Sequence, residues 1–160
     1  DETQNLVTSI NVRAINENCR VIVYIKREEL RQTLHASGVT YVASPFELSG
    51  RLIASAAFEP EVAVFVEEVS SSQSGYDLQQ FMITEESGLA GKTVGEVRNK
   101  LLAAGGALLI AYARLENGHY NMVANPSVDL ALNNGDALIC VGNDEQNEIA
   151  EAKLGCQQGR

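Results

Sequence analysis

Pro45 and Pro60 set the course of this chain. Each opens an apolar helix at the first turn, where the amide hydrogen that proline lacks is not needed. No polar loop separates the two: the run VTYVASPFELSGRLIASAAFEPEVAVFVEEV, residues 39–69, passes from strand to helix and, at Glu59-Pro60, straight into another helix. Leu48, Leu52, Ile53, Ala56 and Ala57 form one face of the first helix. Gly50, Ser49, Ala54 and Ser55 are small enough to admit a close neighbour, and Val62, Val64, Phe65, Val66 and Val69 load the second helix. Ser44 is placed to cap the first helix and Glu47 to close a capping box, a device that contributes about 1 kcal/mol. Two helices of this kind carry more apolar surface than the short unit preceding them can cover, so they are expected to reach another chain.

That preceding unit is small. Leu6, Val7, Ile10, Ala14 and Ile15 repeat at helical spacing over 3–17, RVIVYIK (20–26) reads as a strand, REELRQTLHASG as a helix ended by Gly38, and VTYVAS as a second strand. Helix, strand, helix, strand implies a parallel pair joined by a crossover, the grammar of a Rossmann-like sheet. A parallel sheet needs more neighbours than one, so the remainder is expected outside this sequence or on another chain. Asp1 in place of an initiating Met suits a piece of a longer polypeptide.

SSSQSG (70–75) is polar and small, and the domain boundary is expected there. Beyond it come a strand over 77–84, a helix from Thr93 to Ala103 capped by Thr93 with Glu96, a hairpin of GALLIAYARL and HYNMVA around ENG, a turn-rich connection NPSVDLALNNGD, a strand ALICVG, and a helix over 143–153. The order is β-α-β-β-β-α. The fold class is therefore α/β (α+β): a partial Rossmann-like βαβ over 1–44, a helical crossover arm over 45–70, a small β-α-β-β-β-α unit over 76–153, and a tail over 154–160.

Composition narrows function by exclusion. The 21 acidic against 12 basic residues give a net charge of −9, and the cations are scattered, so nucleic acid is not an expected partner. No apolar run reaches the ~20 residues of a bilayer span, and no charged-then-apolar leader opens the chain. Cys19, Cys140 and Cys156 are widely spaced and read as reduced thiols, with Cys140 inert in mid-strand. His35 and His119 have no ligand partner at metal spacing, and Glu67 and Glu68, adjacent on a helix, point apart. Neither G-x-S-x-G nor G-x-G-x-x-G occurs. No catalytic constellation emerges, and an enzyme is not expected.

HASGVTYVASPFELSGRL followed by FEPEV resembles the late Rossmann segment and crossover helices of RCK domains, the regulators of potassium conductance. LAGKTVGEVR, GALLIAYAR, ANPSVDLALNNGD and ALICVG are similar to the RCK C-terminal (TrkA-C) subdomain, so the resemblance runs from about residue 3 to 150. It implies a cytoplasmic regulatory domain of a prokaryotic potassium channel, joined to the membrane through a pore domain and gated by a small-molecule or ion effector. The arm would interlock two copies into a homodimer, within a higher ring, through Phe46, Leu48, Leu52, Ile53, Ala56, Val62, Phe65 and Val66. A nucleotide site for NAD or ATP belongs to the first Rossmann half, which this sequence lacks. Calcium ligands of some relatives fall at Tyr24 and Lys26, a phenol and a cation, although other carboxylates leave calcium open.

Some relatives hold a cyclic di-AMP between two paired C-terminal subdomains, and the resemblance implies that Arg98 would face a phosphate while Ala107, Leu108, Leu109, Asn125 and Pro126 would flank a base. Read from the residues alone, Arg98 is a surface helix residue, Leu109 is core, and Asn125-Pro126 initiates a turn. Gly135-Asp136 is a tight turn into the final strand. Three further readings stand beside the channel domain: a separate soluble subunit of a Trk or Ktr transporter, a remnant of a dinucleotide-dependent oxidoreductase, and a plain dimerisation module.

Overall fold

A computed structural model describes residues 2–71, 75–116 and 119–156. The chain divides into two compact units, Asp1–Ala63 and Val64–Arg160. The expected boundary at 70–75 and the ENG turn fall partly on residues 72–74 and 117–118, outside the described residues, as do residues 157–160 of the tail.

In the first unit, helix α1 (Glu2–Ile15) precedes strand β1 (Ile22–Tyr24), a single 3₁₀ turn (Glu28–Leu30) leads into α2 (Arg31–Ala36), and β2 (Tyr41–Ala43) follows. The strands pair in parallel, Ile22 with Tyr41, Val23 with Val42 and Tyr24 with Ala43, so the βαβ reading holds with shorter strands than the apolar runs suggest. Alternation puts Val23 and Val42 inward, where they join Ile25, Leu34 and Val39 in a small core. Burying each such side chain stabilises the unit by about 1.5–3 kcal/mol. α2 stops because Gly38, at φ +86°, takes the left-handed turn that ends it.

Helices α3 (Pro45–Ala56) and α4 (Pro60–Ser71) follow, each with its proline in the first position. One expectation fails locally: Ser44 makes no side-chain cap, so the Ser44–Glu47 capping box does not form. Glu47 is instead drawn to cations, pairing with Arg51 one turn on and lying 3.8 Å from an Arg31 Nη2. A charge-assisted contact outcompetes the neutral cap.

The second unit carries β3 (Tyr76–Met82), α5 (Val94–Ala104), β4 (Leu108–Glu116), β5 (His119–Ala124), β6 (Ala137–Asn143) and α6 (Asp144–Leu154). Its four strands form one antiparallel sheet in the order β3-β6-β4-β5. The last strand thus enters between the first and the hairpin. Phe81, Leu138 and Tyr112 lie abreast on one face and are fully buried with Val97, Leu101, Ala150 and Leu154 of the two helices. Thr93 and Glu96 close the expected capping box on α5, and Asn143 with Gln146 closes another on α6.

Candidate functional site

Each unit carries a cleft of several hundred Å³. The cleft of the second unit begins with the abrupt exit of α5. Gly105, at φ +70°, turns the chain, and Gly106 then passes so close to α6 that a Cβ there would come within 3.2 Å of Ile149. The chain consequently enters β4 through Ala107, buried and bonded through its N–H to the Gln146 carbonyl at 3.0 Å. Opposite, Gly142 leaves room for Ala107, since an added Cβ would lie 2.8 Å from the Ala107 methyl.

The space left is a cavity of about 590 Å³, bordered by Phe65, Tyr76, Arg98, Asn99, Leu102, Gly106, Ala107, Leu108, Leu109, Val141 and Gln146. Arg98 is its one charged lining residue, in a chain whose net charge is −9. An apolar cleft with a single cation and two side-chain amides suits an anion that carries an apolar group.

Four residues singled out from the sequence, Arg98, Ala107, Leu108 and Leu109, therefore meet in one cavity. Asn125 and Pro126 do not border it, but both touch Arg98: Nη2 donates to the Asn125 side-chain carbonyl at 3.1 Å and Nη1 to the Pro126 carbonyl at 3.2 Å. Arg98 is thus not a plain surface residue. Leu102, Val141 and Gln146 went unnoticed in the sequence because they come from three elements whose meeting depends on strand order. Phe65, expected in the interlocking arm, is exposed and also borders this cavity.

The cleft of the first unit, about 390 Å³, opens at the carboxyl end of β2, where Arg31 is a hub. It pairs with Glu28, donates to the Val42 carbonyl at 2.7 Å and approaches Glu47. The Arg31 guanidinium holds the Glu28 carboxyl below its usual range, and that pairing raises Arg31 in turn. These cations are already matched by carboxylates, and the network was missed because Glu28, Arg31 and Glu47 are brought together only by the crossover.

Among the described residues no three His, Cys, Asp or Glu side chains gather where they would hold a metal ion. Burial pushes the Cys140 thiol up to about 12 and raises Cys156 as well. Of the arm residues, Phe46, Leu48, Ile53, Val62, Phe65 and Val66 are exposed, Leu52 and Ala56 half-buried, and no residue of α3 is buried. Among the described residues no helix is long and apolar enough to cross a membrane.

No family model matches the sequence. Potassium channel protein 1 of Methanocaldococcus jannaschii is 19% identical over 153 residues, which is 92% of this chain and 42% of that protein. The chain thus spans less than half the length of this curated relative. Among solved structures, the human SLO3 gating ring matches 97% of this chain and 31% of its own, with a TM-score of 0.69 and 15% identity. The GsuK channel bound to NAD matches 97% of this chain and 26% of its own, with a TM-score of 0.46 and 21% identity. With the βαβ pair, the twin helices and the β-α-β-β-β-α unit in that order, the chain shares the α/β fold of the human SLO3 gating ring.

Proposed function

We propose that this chain is a ligand-sensing regulatory domain of a potassium channel, acting on the cytoplasmic side of the membrane as a homodimer within a gating ring. The observation that carries this reading is the cleft of the second unit, which collects Arg98, Ala107, Leu108 and Leu109 around one apolar cavity with one positive charge. The exposed apolar face of α3 supports pairing with a second copy, and similarity to a potassium channel protein supports a pore as the driven element. A ligand in the cleft would favour one arrangement of paired domains, by no more than its difference in affinity for the two arrangements.

Cyclic di-AMP is the ligand to test, because its phosphates match Arg98 and its bases match the apolar walls. Calorimetry on the chain should give saturable binding, and Arg98→Ala should weaken it by about tenfold or more, the loss of a charge-assisted hydrogen bond. Absence of heat, together with an unshifted melting temperature, would remove cyclic di-AMP as the ligand. NAD, carried by the similar GsuK channel, and calcium belong in the same titration as comparators.

A further inference from the structure

We propose that Asn125 is a positioning residue: it fixes the Arg98 guanidinium at the cleft and does not itself meet the ligand. This rests on the ligand-sensing reading of the second unit. Asn125 stands just beyond β5 at φ +46°, the only non-glycine with positive φ among the described residues. Its backbone N–H donates to the Ile110 carbonyl at 2.8 Å, which fixes the residue against the bulge of β4. From there its side-chain carbonyl takes the Arg98 Nη2 at 3.1 Å, while the next carbonyl, of buried Pro126, takes Nη1 at 3.2 Å.

Neither residue borders the cavity; Arg98 does. An arginine carries five N–H donors in a planar fork, so these two bonds orient the plane and leave the other donors for a phosphate. Asparagine suits the position because it tolerates the left-handed conformation and brings an acceptor, whereas glycine would keep the backbone and lose the acceptor. Binding then begins with an arginine already ordered, and that ordering cost is not charged to the ligand.

The test titrates cyclic di-AMP into the intact chain and into Asn125→Gly, Asn125→Asp, Arg98→Ala and the Arg98→Ala/Asn125→Gly double variant. Nitrogen-15 spectra of the arginine side chains in the ligand-free proteins accompany each titration. Asn125→Gly should weaken binding by about two- to tenfold, lose the hindered rotation of the Arg98 Nη groups, and have no further effect once Arg98 is alanine. Asn125→Asp keeps an acceptor and should preserve the Arg98 signals while weakening the anionic probe, because its carboxylate neutralises the cation. Equal weakening by Asn125→Gly with and without Arg98 would mean that Asn125 touches the ligand, overturning the inference and leaving the reading intact. Unchanged affinity in Asn125→Gly would also overturn it. Unchanged affinity in Arg98→Ala, or no binding by the unaltered chain, would remove cyclic di-AMP as the ligand of this cleft and overturn the inference with it.

Discussion

The phenol of Tyr112 donates to the carboxylate of Asp136, and both residues are buried. The same carboxylate accepts the Asn133 N–H at 2.9 Å and the Leu115 N–H at 3.0 Å, so Asp136 ties the turn before β6 to β4. Arg114 completes the group, its Nε donating to the Tyr112 oxygen at 3.2 Å and its guanidinium lying 5.6 Å from the ring centre. Asp136→Ala strands several donors in a low-dielectric interior and should cost about 3 kcal/mol. Tyr112→Phe, which removes one partner, should cost about 1–2 kcal/mol. Urea unfolding midpoints give both values, and a loss below about 1 kcal/mol for Asp136→Ala would show that the turn is held by something else.

Burial, and then the neighbouring carboxylate, raise the Tyr112 phenol above its ordinary range, with Arg114 opposing. The folded chain therefore holds this proton more tightly than the unfolded chain does. That stabilisation is complete below the unfolded value of about 10 and is lost as pH rises through the higher folded one. The melting temperature should fall more steeply above pH 10 in the unaltered chain than in Tyr112→Phe, and parallel curves would contradict the assignment.

Much of this architecture was legible because it is written in local devices. Pro45 and Pro60 start their helices, Thr93 and Glu96 cap another, and the unbroken apolar run ALICVG, 137–142, marks a buried strand. What sequence could not supply was long-range competition. Ser44 and Glu47 have the spacing of a capping box, but Arg31 and Arg51 take the Glu47 carboxylate. The cleft was half legible through the resemblance alone, which pointed to Arg98, Ala107, Leu108 and Leu109, whereas Val141 reaches them only because β6 inserts between β3 and β4. The part played by Asn125, a hydrogen bond across 27 positions, was not visible in the residues themselves.

The three cysteines should separate cleanly by reactivity. Cys140 is fully buried with its thiol pushed up to about 12, Cys156 is buried and raised, and Cys19 is partly exposed. The thiolate is the reactive form, so at pH 8 an alkylating reagent should modify Cys19 first in the native chain and all three residues in denaturant. Mass spectrometry of the alkylated peptides locates the modifications. Rapid native labelling of Cys140 would show that the sheet of the second unit opens readily.

Gly142 offers a test of packing at the cleft. A methyl there would sit 2.8 Å from the Ala107 Cβ and 3.1 Å from the Gln146 Cβ, neither of which is the free end of a flexible side chain. Gly142→Ala should cost about 1–3 kcal/mol through overpacking. It should also weaken any ligand of the cleft, because Ala107 and Gln146 line it. Calorimetric unfolding and a ligand titration on the same sample check both; unchanged stability would mean that β6 and the start of β4 can separate without strain.

The proposed dimer surface is best probed at Ile53 rather than at its neighbour. Leu52 is half-buried within the chain, so a charge there perturbs folding as well as association. Ile53 is 72% exposed, and Phe46 and Leu48 on the same helix are 66% and 67% exposed, so an aspartate at position 53 meets little within its own chain. If a second copy covers this face, Ile53→Asp buries an unpaired carboxylate in the complex, a penalty of several kcal/mol that exceeds what a modest interface returns. Light scattering at micromolar concentration should give a dimer for the unaltered chain and a monomer for Ile53→Asp, while circular dichroism shows the same helical content in both. A dimer that persists in Ile53→Asp would place the contact on another face. A monomeric unaltered chain would mean that a second copy of this chain does not cover the apolar surface of α3, and that pairing of this domain is not intrinsic to it.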